Sequence, residues 1–331
     1  MNAVERLCYT GTRGMGALEY KPTIGPEHVK TDEVDLARLT ELAQNILAKR
    51  QGMQVPIDEG ELEQIIRIGT SAGGARAKAL VAWNKETDEL RSGQVDAGPG
   101  FEQWLIKFDG VAANADKEDA DAPCYTRIEF AYYLMACSAG IKMSECRLLE
   151  EGPRKHFMTK RFDRTEGGKK LHMQSLGALA HFDFNVAGAH SYEESAEVMR
   201  MLGLGQDDVA EMYRRMVFNV VARNQDDHVK NIAFLMDREG QWTLAPAFDM
   251  TYAYKPGGAW TGSHQMRING KRDDITREDL LACARHMSLT ERRAESIIDE
   301  VRNAVGQWAN FSQTAEVPEH QADAIARTFC L

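Results

Sequence analysis

Apolar residues follow one rhythm early in the chain and another in the stretch that follows. Between residues 32 and 49 they fall at Leu36, Leu39, Leu42, Ala43, Ile46 and Leu47, the three- and four-residue spacing of a helix with one buried face. "DEGELEQIIRIG" predicts a second, capped helix from about Asp58 to Arg67. The spacing then shortens. "KALVAW" (78–83), "FEQWLIKFD" (101–109), "ECRLLE" (145–150) and "HFMTKRFD" (156–163) predict strands. A turn-rich connection, "NKETDELRSGQVDAGPG", joins the first two, and a helix ended near Gly140 joins the second and third. After residue 170 helical spacing dominates, with helices predicted at about 194–202, 207–223, 277–286, 290–309 and 319–329. One short β pair interrupts them, "IAFLMDREGQWTLAP", with its turn at Glu239 and Gly240. Residues 1–31 are glycine-rich and predicted irregular. The pattern implies an α+β protein in which a mixed strand-and-helix small lobe (32–165) precedes a mostly helical lobe (166–331), behind an N-terminal extension (1–31).

Composition narrows the partners. A chain of 331 residues with 43% hydrophobic and 27% charged content is an ordinary globular one, long enough for two domains or one of two lobes. Its net charge of −10 argues against a dominant interaction with bare nucleic acid, which needs excess Lys and Arg, and leaves room only for a local basic patch. The longest apolar run, "FAYYLMACSAGI", is too short to span a bilayer, and Glu5 and Arg6 stand where a signal peptide needs an apolar stretch. Six cysteines lie at 8, 124, 137, 146, 283 and 330 without a CxxC pair, the usage of reduced thiols in a cytoplasmic protein.

Three stretches carry candidate chemistry. In "RNQDDHVKNIAF" (223–234), two carboxylates, an imidazole, an amine and an amide stand between apolar flanks. Ionised groups are costly to bury unless paired or bound to a metal. Asp226 and Asn231 have the spacing D-x-x-x-x-N, and Asp249 follows in "LAPAFDM" after the β pair. Phosphoryl transfer from ATP needs a carboxylate at the attacking hydroxyl and oxygen ligands for Mg2+, and the protein-kinase template supplies them as an Asp, an Asn after four intervening residues and a later Asp. A solvated loop between helices is the plainer reading. No HRD triplet is present, since Asn224 and Gln225 precede Asp226. "DFN" at 183–185 imitates a metal-binding turn but precedes the loop, so it reads as structural. The second stretch, "GTSAGGARAKALVAW" (69–83), lets backbone N–H groups approach phosphates, or is a flexible turn. In the third, Lys107 sits between Ile106 and Phe108, either holding phosphates or facing water from an edge strand, with Glu129 a candidate ion partner.

Together "RGMGALEYKP" (13–22), "SAGGARAK" (71–78), "LIKF" (105–108), "KRFDR" (160–164), "DDHVKN" (226–231) and "LAPAFDM" (244–250) resemble the HipA-like toxin kinases of bacterial toxin–antitoxin systems. That resemblance implies a two-lobed protein-kinase-like fold and a Ser/Thr protein kinase using ATP and Mg2+. It implies Asp226 as catalytic base and Asn231 and Asp249 as metal ligands. For the nucleotide it implies Gly73, Gly74, Ala75, Arg76, Ala77 and Lys78 as the phosphate loop, Lys107 as the phosphate-holding lysine, and His228, Val229, Lys230 and Asn231 with Phe248 and Asp249 as further contacts. Lys160, Arg161 and Phe162 would meet adenine. Ser71 falls where the family phosphorylates itself to switch off; a turn cap is the alternative for a serine in such a stretch. Implied partners are a helix-turn-helix antitoxin, through which alone DNA is reached, and a protein substrate such as an aminoacyl-tRNA synthetase; the N-terminal subdomain that precedes "RGMGALEYKP" in the family is either trimmed from this sequence or supplied by a separate small protein. A small-molecule phosphotransferase and a non-catalytic partner of a DNA-binding antitoxin are the competing readings. Besides that front segment, the largest departure, two others stand out: Asp227 stands where a small residue is often found, which is expected to add negative charge beside the metal site, and Lys160 stands where some relatives carry an acidic residue.

Overall fold

The computed structural model describes residues 1–24, 35–41, 43, 77–94, 96–111, 124–165 and 167–331. The helix expected at 58–67 and Ser71 to Arg76 of the glycine-rich stretch lie outside them. Contacts divide the chain into two compact units, Met1–Thr126 with Glu145–His172, and Arg127–Ser144 with Met173–Leu331.

The first unit is built on a five-stranded antiparallel sheet in the order β2-β1-β3-β5-β4. Its strands are β1 (Lys78–Trp83), β2 (Leu90–Ser92), β3 (Glu102–Lys107), β4 (Cys146–Glu151) and β5 (Arg154–Lys160). β2 falls inside the stretch read as a plain connection: three residues are too few to show an alternation. Alternate residues of a strand point to opposite faces. Ala79, Val81, Trp83, Trp104, Ile106 and Met158 therefore share one face, and they form the core of this unit with Leu39 and Ala43. Trp83 and Trp104 meet edge to face at 5.9 Å.

Residues 1–31 are not irregular throughout. Helix α1 (Ala3–Thr10) opens on a capping box in which the Asn2 side chain accepts from the Glu5 N–H and the Glu5 carboxylate accepts from the Asn2 N–H. Such reciprocal caps stabilise a short helix whose apolar spacing is too brief to reveal it.

In the second unit, α2 (Tyr125–Ser138) ends before Gly140, whose φ of 78° breaks the helix as the sequence predicts. β6 (His172–Ser175), β7 (Ala233–Met236) and β8 (Trp242–Leu244) form a small sheet in that order, and α3 (Leu176–Ala180) follows β6 directly. The remaining helices are α4 (Tyr192–Met201), α5 (Gln206–Val221), α6 (Arg277–His286), α7 (Glu291–Val305), α8 (Trp308–Thr314) and α9 (Glu319–Ala326). The single helix expected over 290–309 is two, α7 and α8, divided at Gly306 and Gln307. α5 is buried from Val209 to Val221 and packs on α7, whose Ile297, Ile298 and Val301 are buried as well. Each such apolar side chain contributes about 1.5–3 kcal/mol when fully buried. The hydroxyl of fully buried Tyr132 donates to the Ala222 carbonyl at 2.6 Å, tying α2 to the end of α5. Among the described residues no helix is long and apolar enough to cross a membrane.

Candidate active site

The charged loop begins where α5 ends. The chain turns at Arg223, whose φ of 57° is unusual for a residue with a side chain, and enters Asn224–Asn231. Two backbone anchors then determine what lies opposite this loop. After the β7–β8 hairpin, the Ala245 N–H donates to the Ala233 carbonyl at 2.9 Å. Further on, the Gln225 N–H donates to the Ala253 carbonyl at 2.9 Å, and the Ala253 N–H to the Arg223 carbonyl at 3.1 Å. Segment 245–253 is thus pinned at one end beside Ala233 and at the other beside Asn224, so it runs along the loop. Asp249 lies midway between the pins.

Buried polar groups of α5 hold the approach to Asp249. Arg215 pairs with Glu211 at 2.9 Å and donates to the Ala245 carbonyl at 3.0 Å. Ala247 donates its N–H to the Lys142 carbonyl at 2.8 Å. Asp249 itself adopts φ 57°. A left-handed conformation costs a non-glycine residue about 1–3 kcal/mol and persists where the surroundings impose it, often at functional positions.

Within the loop, adjacent carboxylates differ sharply. The Asp226 side chain is 31% exposed and accepts from the Trp260 indole N–H at 2.6 Å. Asp227 is buried, and its carboxylate accepts from the Gln265 N–H at 2.7 Å and the Tyr192 hydroxyl at 2.9 Å, with His264 Nδ1 also at 2.9 Å. Asn219 and Asn224 extend this network behind Tyr192. Burial pushes the Asp227 carboxyl up, but the neighbouring His264 and these hydrogen bonds outweigh it and hold the group below the usual carboxylate range. The expectation that Asp227 loads the metal site with charge is therefore corrected: its charge is met inside the protein.

Asn231 donates its side-chain N–H to the Asp226 carbonyl at 2.9 Å, which leaves its amide oxygen as the atom to offer a cation. Val229 is buried, and its carbonyl accepts from the Gly177 N–H at 3.1 Å, anchoring the loop to α3. Lys230 is exposed, with its ammonium over the Phe184 ring, and His228 meets Phe184 edge to face at 5.7 Å. The "DFN" turn is thus a neighbour of the loop, a role its order along the chain does not reveal. Phe248, like Asp249, is half-buried. No cluster of three or more His, Cys, Asp or Glu side chains able to hold a metal ion occurs among the described residues. Mg2+ keeps several waters and needs few protein oxygens, so one amide and one carboxylate fit it.

In the first unit, Lys78 and Lys107 are directly opposite one another across β1 and β3, on the face away from the core. Both are buried, at 8% and 5% exposure, and Lys107 lies 5.8 Å from the centre of the Phe157 ring. β3 is the central strand of the sheet, so Lys107 is not a water-facing residue of an edge. Ala77 precedes Lys78 and is half-buried; Gly73, Gly74, Ala75 and Arg76 belong to the stretch outside the described residues.

"KRFDR" does something the sequence did not show. Lys160 pairs with Glu102 at 2.6 Å. Arg161 and Asp163 form a buried two-bond pair at 2.8 and 2.9 Å, joined by Arg164 at 2.8 Å. The Gly16 N–H donates to Asp163 at 2.7 Å, while Arg164 donates to the Gly14 and Gly16 carbonyls at 3.2 Å. "RGMGALEYKP" and "KRFDR" are two halves of one clasp. Phe162, between the cations, is half-buried.

A mixed sheet unit followed by a helical unit with this loop defines an α+β, kinase-like fold. HipA of Shewanella oneidensis MR-1, solved with HipB and operator DNA, shares it: the likeness has a TM-score of 0.65 at 15% identity over 98% of this chain and 76% of that one. The model of the HipA-like C-terminal domain matches residues 70–309, and the chain belongs to that family. It is 28% identical over 223 residues to "Putative kinase Y4dM" of Sinorhizobium fredii, which covers 62% of this chain. The chain spans about half the length (50%) of that curated relative. The Helicobacter pylori proinflammatory kinase CtkA is also similar, with a TM-score of 0.39 and 12% identity over 70% of this chain and 93% of that one.

Proposed function

We propose that the chain is an ATP- and Mg2+-dependent Ser/Thr protein kinase acting as the toxin of a toxin–antitoxin system. The observation that carries this reading is the double pinning of segment 245–253, which lays Asp249 along the loop bearing Asp226 and Asn231. Asp226, half-exposed and held by a donor, is the carboxylate that orients the attacking hydroxyl and receives its proton. Asn231 and Asp249 hold the metal through oxygen atoms. Bound Mg2+ would neutralise charge developing on the phosphate oxygens. To the phosphates we assign Lys78 and Lys107, two buried lysines at paired positions of β1 and β3, whose positive charge suits a polyphosphate. Gly73 to Ala77 would add backbone donors. Phe162 is the side chain assigned to adenine, since Lys160 and Arg161 are engaged by Glu102 and Asp163. Ser71 is proposed as the self-phosphorylated switch on the resemblance alone. The presence of HipB and operator DNA with the Shewanella HipA supports a helix-turn-helix antitoxin as partner.

The test is to incubate the purified chain with Mg2+, γ-labelled ATP and cell lysate, then identify labelled Ser and Thr residues by mass spectrometry. Transfer to a protein is expected, falling by about 10²–10⁴ in Asp226→Asn. Label in a small molecule would favour the phosphotransferase reading. No transfer at all from the intact chain contradicts the proposal.

A further inference from the structure

The segment "KPGGAWTGS" (255–263) supplies the donor that holds Asp226. It closes tightly on itself. The Lys255 N–H donates to the Thr261 carbonyl at 3.1 Å, and the Gly258 N–H to the Lys255 carbonyl at 2.9 Å. A Cβ on Gly262 would lie 2.4 Å from the Gly258 carbonyl oxygen, so only glycine closes the loop at this width. Gly257 adopts φ 72°, the left-handed region that glycine occupies without penalty.

One residue fastens this loop to the site. Gln265 donates its side-chain amide to the carbonyls of Trp260, Ser263 and Gln225, and its backbone N–H to Asp227. Gln225 and Asp227 flank Asp226, so the loop and the carboxylate share one frame. At its tip the Trp260 indole N–H meets Asp226 Oδ1, and its ring lies 6.4 Å from that of His228.

We propose that Trp260 is a positioning residue for phosphoryl transfer: its indole N–H fixes the plane of the Asp226 carboxylate, and the glycine-closed loop holds it there. This rests on the kinase reading. Indole nitrogen donates and cannot accept. An Asn in its place could turn its amide oxygen toward the carboxylate, and a Ser its lone pairs, losing the bond; the indole has only a donor to present. The bond to a carboxylate is charge-assisted, stronger than a neutral one. Phosphoryl transfer depends chiefly on positioning, so a base of fixed plane acts on the rate of transfer and not on nucleotide affinity.

The test uses the full chain with Trp260 replaced by its benzothienyl isostere, sulfur in place of N–H, beside Trp260→Phe. Both keep an aromatic ring and remove the donor. Expected is a fall in kcat on the order of tenfold, the scale seen when an orienting outer-shell partner is lost. KM for ATP and the melting temperature should stay at wild-type values, the pattern of an interaction made only in the transition state. A third arm is independent of turnover: in 15N-tryptophan-labelled protein, Asp226→Ala should move the indole N–H resonance of Trp260, assigned by its loss in Trp260→Phe. Wild-type kcat in the isostere variant overturns the proposal, as does an indole resonance unmoved by Asp226→Ala. An intact chain without transfer overturns the kinase reading and this inference with it; an active wild type with an equally active isostere overturns this inference alone.

Discussion

Asp163 and Asp226 both stand in runs of charge beside apolar segments, and the fold treats them oppositely. Asp163 is buried, met by Arg161, Arg164 and the Gly16 N–H. Every partner is inside the clasp. Asp226 is half-exposed, accepts from the Trp260 indole N–H at 2.6 Å and has His228 Nε2 at 3.9 Å. Between them in character is Asp227, one residue from Asp226 and as closed as Asp163. Charge density alone therefore does not mark chemistry. A buried carboxylate ringed by its own protein marks architecture, and one that is 31% exposed is open to a substrate.

The largest effect that tests this contrast is on stability. Asp163→Asn leaves Arg161 and Arg164 without their carboxylate, and breaking a buried pair on one side costs about 3–5 kcal/mol. Denaturant unfolding should show that loss. A change smaller than about 0.5 kcal/mol, the range of ordinary surface substitutions, would mean the clasp is not structural.

Asp227→Asn should cost less, about 1.5–3 kcal/mol for a charged hydrogen-bonded group. It also carries a pH signature. The folded state holds the Asp227 carboxyl below its unfolded value, so its contribution is present above the unfolded value of about 4 and is lost as pH falls through the folded one. Asp163 has the same sign, burial raising its carboxyl and the arginines lowering it further. Melting temperature should therefore fall below about pH 4, and the gap between wild type and Asp227→Asn should narrow there. A gap that widens with acid contradicts the assignment.

Lys107→Met sharpens the comparison from the other unit, where buried ammonium groups are assigned to a ligand and not to architecture. Loss of a charge-assisted contact of about 1.5–3 kcal/mol should weaken ATP binding roughly ten- to a hundredfold by calorimetry, with the fold retained. Unchanged affinity would make Lys107 a structural lysine like Lys160.

How much of this was legible in the sequence follows from the range of the interactions involved. "KALVAW" is a strand at the residues expected, because alternation and burial are local properties of six positions. The β pair and its Gly240 turn were equally legible, the glycine taking φ 82°. β2 and α3 were too short to carry a period, and α1 depends on a cap. Spacing could place Asp226, Asn231 and Asp249 in order along the chain. It could not reveal that Asp227 turns inward to His264 and Gln265, some 37 and 38 residues away, or that Arg164 and Asp163 grip Gly14 and Gly16. Nor did "KPGGAWTGS" announce a donor for Asp226, since a glycine-rich turn with one tryptophan looks like any surface loop. The usable signal was the tryptophan itself: a large ring in a loop otherwise built for closeness needs a partner for its N–H.

The account's central claim is that Asn231 and Asp249 make a metal–nucleotide site beside Asp226, and thermal unfolding with Mg2+-ATP tests it most directly. Binding to the native state alone adds about 2.7 kcal/mol at a hundredfold excess over Kd. The intact chain should melt higher with Mg2+-ATP than with ATP and chelator, and Asp249→Asn should lose the magnesium-dependent part of that rise. A melting temperature that Mg2+-ATP leaves unmoved in the intact chain would contradict the site.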